Sequence, residues 1–250
     1  MPAITHLLLD IEGTTCPVSF VAEVLFPYAR RHLSAYLAEH AEEPVVVALL
    51  QEVHTAWRQD PQPEAQALWL SWQGQPGGTG TAAALAAYLE LQSRLDRKLT
   101  PLKELQGMIW EAGYGDGSLQ APLFSDVPDA LQRWQQQGLV LAVYSSGSVP
   151  AQQLLYRHSS GGDLTGLFSH WFDTRTGPKQ ESSSYQCIAE AMAVPCSRVL
   201  FISDAPAELQ AAAAAGMAVR FSQRPGNPHQ QSEGFETITD YGDLRFDHGS

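Results

Sequence analysis

The chain has 250 residues, 44% of them apolar and 17% charged, with a formal net charge of −12. At that length one large domain, or one carrying an insert, is expected, with enough chain to bury a core unaided by metals or disulfides; fibrous, collagen-like and wholly disordered classes are excluded. The acidity argues against nucleic acid or an anionic membrane as partner, so an anionic ligand would need positive potential gathered locally from only 15 lysines and arginines.

The run Ile4-Thr5-His6-Leu7-Leu8-Leu9 stops at Asp10-Ile11-Glu12-Gly13-Thr14-Thr15. A short, near-continuous apolar run ended by turn-forming residues predicts a buried strand of a parallel sheet. From residue 18 to 120 the pattern becomes helical: Phe20-Val21-Val24-Leu25, Leu33-Tyr36-Leu37 and Val45 to Leu50, then, after a break at Gln73–Gly80, Ala82 to Leu95 and Leu102 to Trp110, ending at Gly113-Tyr114-Gly115. Asp126 is expected to cap a helix running through Ala130, Leu131 and Trp134 to Gly138. Further strands are expected at Gly138–Tyr144, Arg198–Ile202 and Gly216–Phe221, with helices starting near Pro150 and over Ala207–Ala215. Beyond Ser222 a loop-like tail leads to a short element near Glu236–Thr239. Strands alternating with helices give an α/β fold, a doubly wound parallel sheet. The organisation expected is a core of residues 1–17 and 121–250, with a helical cap of residues 18–120 inserted after the first strand, over the sheet's active edge.

Cys16, Cys187 and Cys196 are odd in number and lack metal-type spacing, which favours a reducing compartment over a disulfide framework. The first residues have no basic segment, Asp10 and Glu12 interrupt the early apolar run, and no stretch approaches the roughly 20 apolar residues of a membrane helix. A cytoplasmic monomer is the expectation, with no membrane partner.

Four features fall at strand ends, where doubly wound sheets bind ligands. Asp10 and Glu12 are two residues apart at the end of a buried strand; either alone is an ordinary turn carboxylate, but two there need a partner or a metal. Ser145-Ser146-Gly147-Ser148 joins a strand to a helix, either a plain serine cap or, with free backbone N–H groups, an anion site. Lys179 follows Gly177-Pro178 and is presented from a constrained loop, where a lone lysine is otherwise a solvated surface residue. Asp204, with Glu208 one helical turn on, suits either a helix cap or a hard cation held through oxygen. Four separate accidents explain the joint pattern poorly.

Asp10-Ile11-Glu12-Gly13-Thr14, Ser145, Lys179 and Ser203-Asp204 with Glu208 resemble the four ordered motifs of the haloacid dehalogenase-like hydrolases. Leu8 to Thr15, Ser19-Phe20-Val21, Leu25-Phe26-Pro27-Tyr28, Leu105 to Trp110, Tyr144 to Ser148 and Arg224-Pro225-Gly226-Asn227 are similar to one family within them, the enolase-phosphatases (acireductone synthases) of methionine salvage. The resemblance implies a Rossmann-like haloacid dehalogenase core and a small-molecule phosphate substrate, 2,3-diketo-5-methylthiopentyl-1-phosphate, enolised and then dephosphorylated. It implies Asp10 as nucleophile and Glu12 as general acid and base. Mg2+ would be held by Asp10, Asp204 and the Glu12 position, the last through its backbone carbonyl, while Ser145, Ser146 and Lys179 bind the phosphoryl group. Glu208 is left between a water-mediated contact to the metal and orientation of Lys179. Phe20, Lys103 and Gln106–Trp110 of the cap would enclose the methylthio tail. The alternatives are a phosphatase of the same superfamily acting on another small metabolite, and a non-catalytic phosphometabolite-binding module. A dehalogenase leaves Glu12 and the Asp204 site without purpose.

Overall fold

The computed structural model describes residues 3–73, 81–95, 97 and 99–246. Apart from Gln73, the break expected at Gln73–Gly80 lies outside the described residues. Strand β1 (His6–Leu9) is followed by a π-helical turn, Phe20–Leu25, and five helices: α1 (Phe26–His40), α2 (Pro44–Gln59), α3 (Pro63–Gln73), α4 (Thr81–Arg94) and α5 (Thr100–Gly115). Next come α6 (Val127–Gln136), β2 (Val140–Tyr144), α7 (Val149–Arg157), β3 (Phe168–Phe172), α8 (Ser182–Ala191) and β4 (Val199–Ser203). Helix α9 (Pro206–Ala214), β5 (Ala218–Ser222) and β6 (Thr237–Ile238) complete the order.

The six strands form one parallel sheet in the order β3-β2-β1-β4-β5-β6. Strand β1 is central, with Leu7 opposite Leu141 on one side and Leu200 on the other, and Leu7, Leu8 and Leu9 fully buried. Burial on both faces explains why the run is continuously apolar rather than alternating. The chain moves outward in opposite directions from β1 and β4, so the ends of these two strands flank the crevice where such sheets receive ligands. Asp10 follows the last residue of β1 and Asp204 the last residue of β4.

The chain divides into two compact units, Met1–Val21 with Leu119–Ser250, and Ala22–Ser118. In the second unit, α2 buries Val46, Leu49, Val53 and Trp57 at helical spacing, against Leu89 of α4 and Leu105 and Ile109 of α5. Its buried charge is Asp60, which accepts hydrogen bonds from Tyr88 Oη (2.9 Å), Gln92 Nε2 (3.0 Å), Arg97 Nη1 (2.7 Å) and the Gln62 amide (3.1 Å). The Tyr88, Gln92 and Arg97 donors tie the α2–α3 turn to α4 and the segment after it, while the Gln62 bond closes the turn itself.

Three expectations need correcting or completing. Asp126 stands at the N-cap position of α6 but does not cap it; its Oδ2 instead accepts from Arg224 Nη2 (2.8 Å) and the Tyr241 amide (2.6 Å). Strand β3 escaped the sequence because Phe-Ser-His-Trp-Phe is an edge strand with an exposed serine. The short element near Glu236–Thr239 is β6, paired to β5 through Phe221–Thr237 and Ser222–Ile238.

Candidate active site

Asp10 leaves β1 with its side chain buried. Its Oδ1 accepts from the Ile11 amide (2.8 Å) and is 2.8 Å from Lys179 Nζ, while its Oδ2 is 3.1 Å from the Ser203 hydroxyl. The Lys179 ammonium also lies 2.7 Å from Glu208 Oε2, which is itself 3.0 Å from Ser203 Oγ. The end of β1, the loop before α8, the last residue of β4 and the first turn of α9 thus meet in one bonded cluster.

The loop carrying Lys179 is fixed by its carbonyls. Tyr144 Oη donates to Gly177 O (2.8 Å), Ser184 Oγ to Pro178 O (2.8 Å) and Tyr185 Oη to Lys179 O (2.7 Å). The ammonium lies 5.6 Å from the centre of the Tyr144 ring, within reach of a cation–π attraction. Burial alone would favour the neutral amine, but the carboxylates of Asp10 and Glu208 more than offset it and hold Lys179 above its ordinary pKa. Lys179 is therefore a buried, fully charged ammonium.

Gly13 makes the turn after Glu12 at φ +66°, and a Cβ there would stand 2.2 Å from Asp204 Oδ2. The absent side chain is what lets the first loop close on the Asp204 carboxylate. Burial, then the charges of Asp10 and Glu208, push Asp204 up to about 7, against the opposing pull of Lys179. Burial and Asp10 likewise raise Glu12, again opposed by Lys179, and raise Glu208. Asp10 and Glu208 flank the Lys179 ammonium directly, and the Glu12 and Asp204 carboxyls lie within electrostatic reach of it. That surplus of hard, anionic oxygen suits a divalent cation such as Mg2+. Among the described residues no three His, Cys, Asp or Glu side chains form a ready metal cluster.

Ser145 is buried at the end of β2, where its amide donates to Phe172 O (3.2 Å) and its Oγ accepts from the Gly147 amide at 3.4 Å. Ser146 is exposed beside it. Ser148 occupies the N-cap position of α7 without a side-chain capping bond. In the Ala22–Ser118 unit, Lys103 is exposed, Ile109 belongs to that unit's core, and Trp110 Nε1 donates to Leu25 O (2.8 Å). Phe20 is buried and falls in the other unit. Of the two roles left open for Glu208, the direct contact is with Lys179. Sequence reasoning missed the Ser203 hydroxyl, read there only as the neighbour of Asp204; a hydroxyl at the last position of a fully buried strand was its signal.

The family model for haloacid dehalogenase-like hydrolases matches residues 4–216. The chain is 48% identical over 244 residues to the enolase-phosphatase E1 of Synechococcus sp. (strain WH7803), covering 97% of this chain and 99% of that one. It is 52% identical over 226 residues to the enolase-phosphatase E1 of Synechococcus sp. (strain RCC307), covering 90% and 88%. Among solved structures, the UTR4 protein of Saccharomyces cerevisiae superposes with a TM-score of 0.70 at 32% identity, over 96% of this chain and 100% of that one.

Proposed function

The chain belongs to the haloacid dehalogenase-like hydrolases, and within them we propose that it is an enolase-phosphatase converting 2,3-diketo-5-methylthiopentyl-1-phosphate, through its enol, to 1,2-dihydroxy-3-keto-5-methylthiopentene and phosphate. The observation that carries the chemistry is the Asp10 carboxylate at the end of the central strand, bonded at 2.8 Å to a buried lysine ammonium and beside the Asp204 carboxylate.

Asp10 is the nucleophile: one carboxylate oxygen forms a bond to phosphorus as the bond from phosphorus to the substrate oxygen breaks, giving an aspartyl-phosphate. The Ile11 amide, Lys179 and Ser203 hold the carboxylate in place, so little reorientation remains at the moment of attack. Lys179, with Ser145 and Ser146, binds the phosphoryl oxygens and offsets their charge. This local cation answers the condition set by a chain of net charge −12. Glu12, two residues from the nucleophile and held above its ordinary pKa, protonates the leaving oxygen. It then takes the proton of the water that hydrolyses the aspartyl-phosphate. Mg2+ would be held by Asp10 and Asp204 with the Glu12 carbonyl as third donor, and when bound it neutralises charge between carboxylate and phosphate.

Among the described residues no helix is long and apolar enough to cross a membrane. The partner is a small phosphorylated metabolite rather than nucleic acid or membrane, and the protein acts as a cytoplasmic monomer. The test is to incubate the protein with Mg2+ and the diketo-phosphate, following phosphate release and the absorbance of the enediol product together. Both products should form, both should vanish with EDTA, and Asp10→Asn should abolish them. Phosphate release from simple esters without reaction on the diketone would move the substrate to another metabolite, and near-wild-type turnover by Asp10→Asn would overturn the nucleophile.

A further inference from the structure

The loop Asp10–Cys16 folds around one acceptor: Ile11 O takes the amides of Thr14 (3.1 Å), Thr15 (2.9 Å) and Cys16 (2.9 Å), and the Gly13 amide donates to Cys16 O at 2.8 Å. The carbonyls of Gly13 and Thr14 take no part in this turn. Side chains from residues 222–241, beyond the stretch 4–216 matched by the haloacid dehalogenase-like model, supply their donors. Gly13 O accepts from Asn227 Nδ2 (2.8 Å) and Ser222 Oγ (3.0 Å), and Thr14 O accepts from Tyr241 Oη (3.0 Å). All three of these side chains are buried.

The donors are themselves anchored. Arg224 is buried with its guanidinium 4.4 Å from the Tyr241 ring centre and 4.8 Å from that of Phe124. It donates to Asp126 Oδ2 (2.8 Å) and Thr239 O (2.7 Å), and the same Asp126 oxygen accepts the Tyr241 amide. Asn227 spends its amide nitrogen on Gly13 O and on Ser222 O (3.2 Å), leaving its buried Oδ1 without a hydrogen-bond partner among the described residues. Through Nδ2 the side chain therefore ties the Gly13 carbonyl to the end of β5.

We propose that Ser222, Asn227 and Tyr241 are positioning residues: the last residue of β5 and the segment after it form a strap that fixes the Gly13 and Thr14 carbonyls and thereby sets the direction of Glu12 relative to Asp10 and Asp204. This rests on the catalytic reading of Glu12 given above. The Arg224-Pro225-Gly226-Asn227 motif, which the phosphate chemistry leaves unused, acquires a role as the anchor and the clasp of that strap. The strap touches no reacting atom; it acts through two peptide planes.

The experiment compares Ser222→Ala, Asn227→Ala and Tyr241→Phe with Gln223→Ala, which lies on the same segment and touches neither carbonyl. Hydrogen exchange of the Thr14, Thr15 and Cys16 amides, referenced to those of β4, is read alongside kcat and KM. The expected result is exchange at least tenfold faster in the loop with β4 unchanged, and kcat down about tenfold with KM within twofold, for the three strap variants only. Unchanged loop exchange overturns the strap. An equal rise in β4, or intact kcat with a loosened loop, reduces these residues to general stability and overturns their positioning role. Should the wild-type protein release no phosphate from any ester, the catalytic reading fails, while the exchange measurement still decides whether the strap holds the loop.

Discussion

Gly13→Ala is the most sensitive probe of how the first loop meets Asp204. The substitution adds one methyl group, at φ +66° and 2.2 Å from Asp204 Oδ2, 2.5 Å from its Cγ and 2.9 Å from Asn227 Nδ2. The nearest contact is more than an ångström short of ordinary van der Waals separation, so either the carboxylate or the loop must move by about that much. The left-handed backbone costs alanine about 1–2 kcal/mol. Loss of glycine's freedom in the unfolded chain returns about 0.4–1 kcal/mol, and forced overpacking adds about 1–3 kcal/mol. The expected net destabilisation is about 1–4.6 kcal/mol, or roughly 2–18 °C in Tm for a chain of this size. Misplacement of a catalytic group by about 1 Å costs on the order of 10²-fold in rate, so kcat should fall by about that factor. Initial rates of phosphate release at saturating Mg2+, with a thermal melt of the same sample, measure both. Activity within threefold of wild type and a Tm within 1 °C would refute the close approach.

Lys179→Met should leave the Asp10 and Glu208 carboxylates facing each other without their cation, lowering stability by about 3–5 kcal/mol and abolishing phosphate release; a melt and an assay on the same preparation check it. Glu12→Gln should reduce kcat by roughly 10²–10⁴, and a loss under tenfold would give Glu12 a purely positional role. Burial pushes Asp60 up, but the hydrogen bonds from Arg97, the Gln62 amide and Tyr88, with the Arg97 charge, outweigh it and hold the carboxyl below its ordinary pKa. Its folded pKa being depressed, its contribution is present above the unfolded pKa and is lost as pH falls through the folded one. Asp60→Asn should therefore lower stability by about 1–3 kcal/mol near neutral pH and by progressively less below about pH 4. Fluorescence of Trp57, Trp69 and Trp72, clustered within the same unit, follows that unfolding. A penalty independent of pH would remove the ionised carboxylate from the account.

Strands β1, β2 and β4 could be read because each is a short apolar run ended by a turn, a signal that comes from burial on both faces, and β5, half-exposed over residues 218–220, could be read from its bounding Gly216 and Arg224-Pro225-Gly226. Strand β3 could not, since Ser169 and His170 dilute an edge strand until it resembles a loop. Asp10, Lys179 and Asp204 were legible for a related reason: each is a charge set just beyond a strand or a Gly-Pro turn, where an isolated charge is conspicuous. The bonds joining them were not legible. Ser203 meets Asp10 from 193 positions away, and Asn227 meets Gly13 from 214, and no local periodicity encodes such pairings. Asp126 is the instructive error. Its position before a helix is that of a cap, but Arg224 and the Tyr241 amide, brought in by the tertiary fold, are stronger claimants for the carboxylate.

The central place of β1 has a consequence for how the chain is made. Its two neighbours in the sheet begin at Val140 and Val199. At roughly 5–20 residues per second, the ribosome leaves His6–Leu9 without a strand partner for about 7–27 s before β2 begins to emerge, and longer before β4 does. Residues 22–118 are all synthesised in that interval. Three consecutive leucines, fully buried in the finished sheet, therefore spend the early life of each molecule without their strand partners. Asp10 and Glu12, placed directly after them, then act as the charged gatekeepers that keep newly made chains apart.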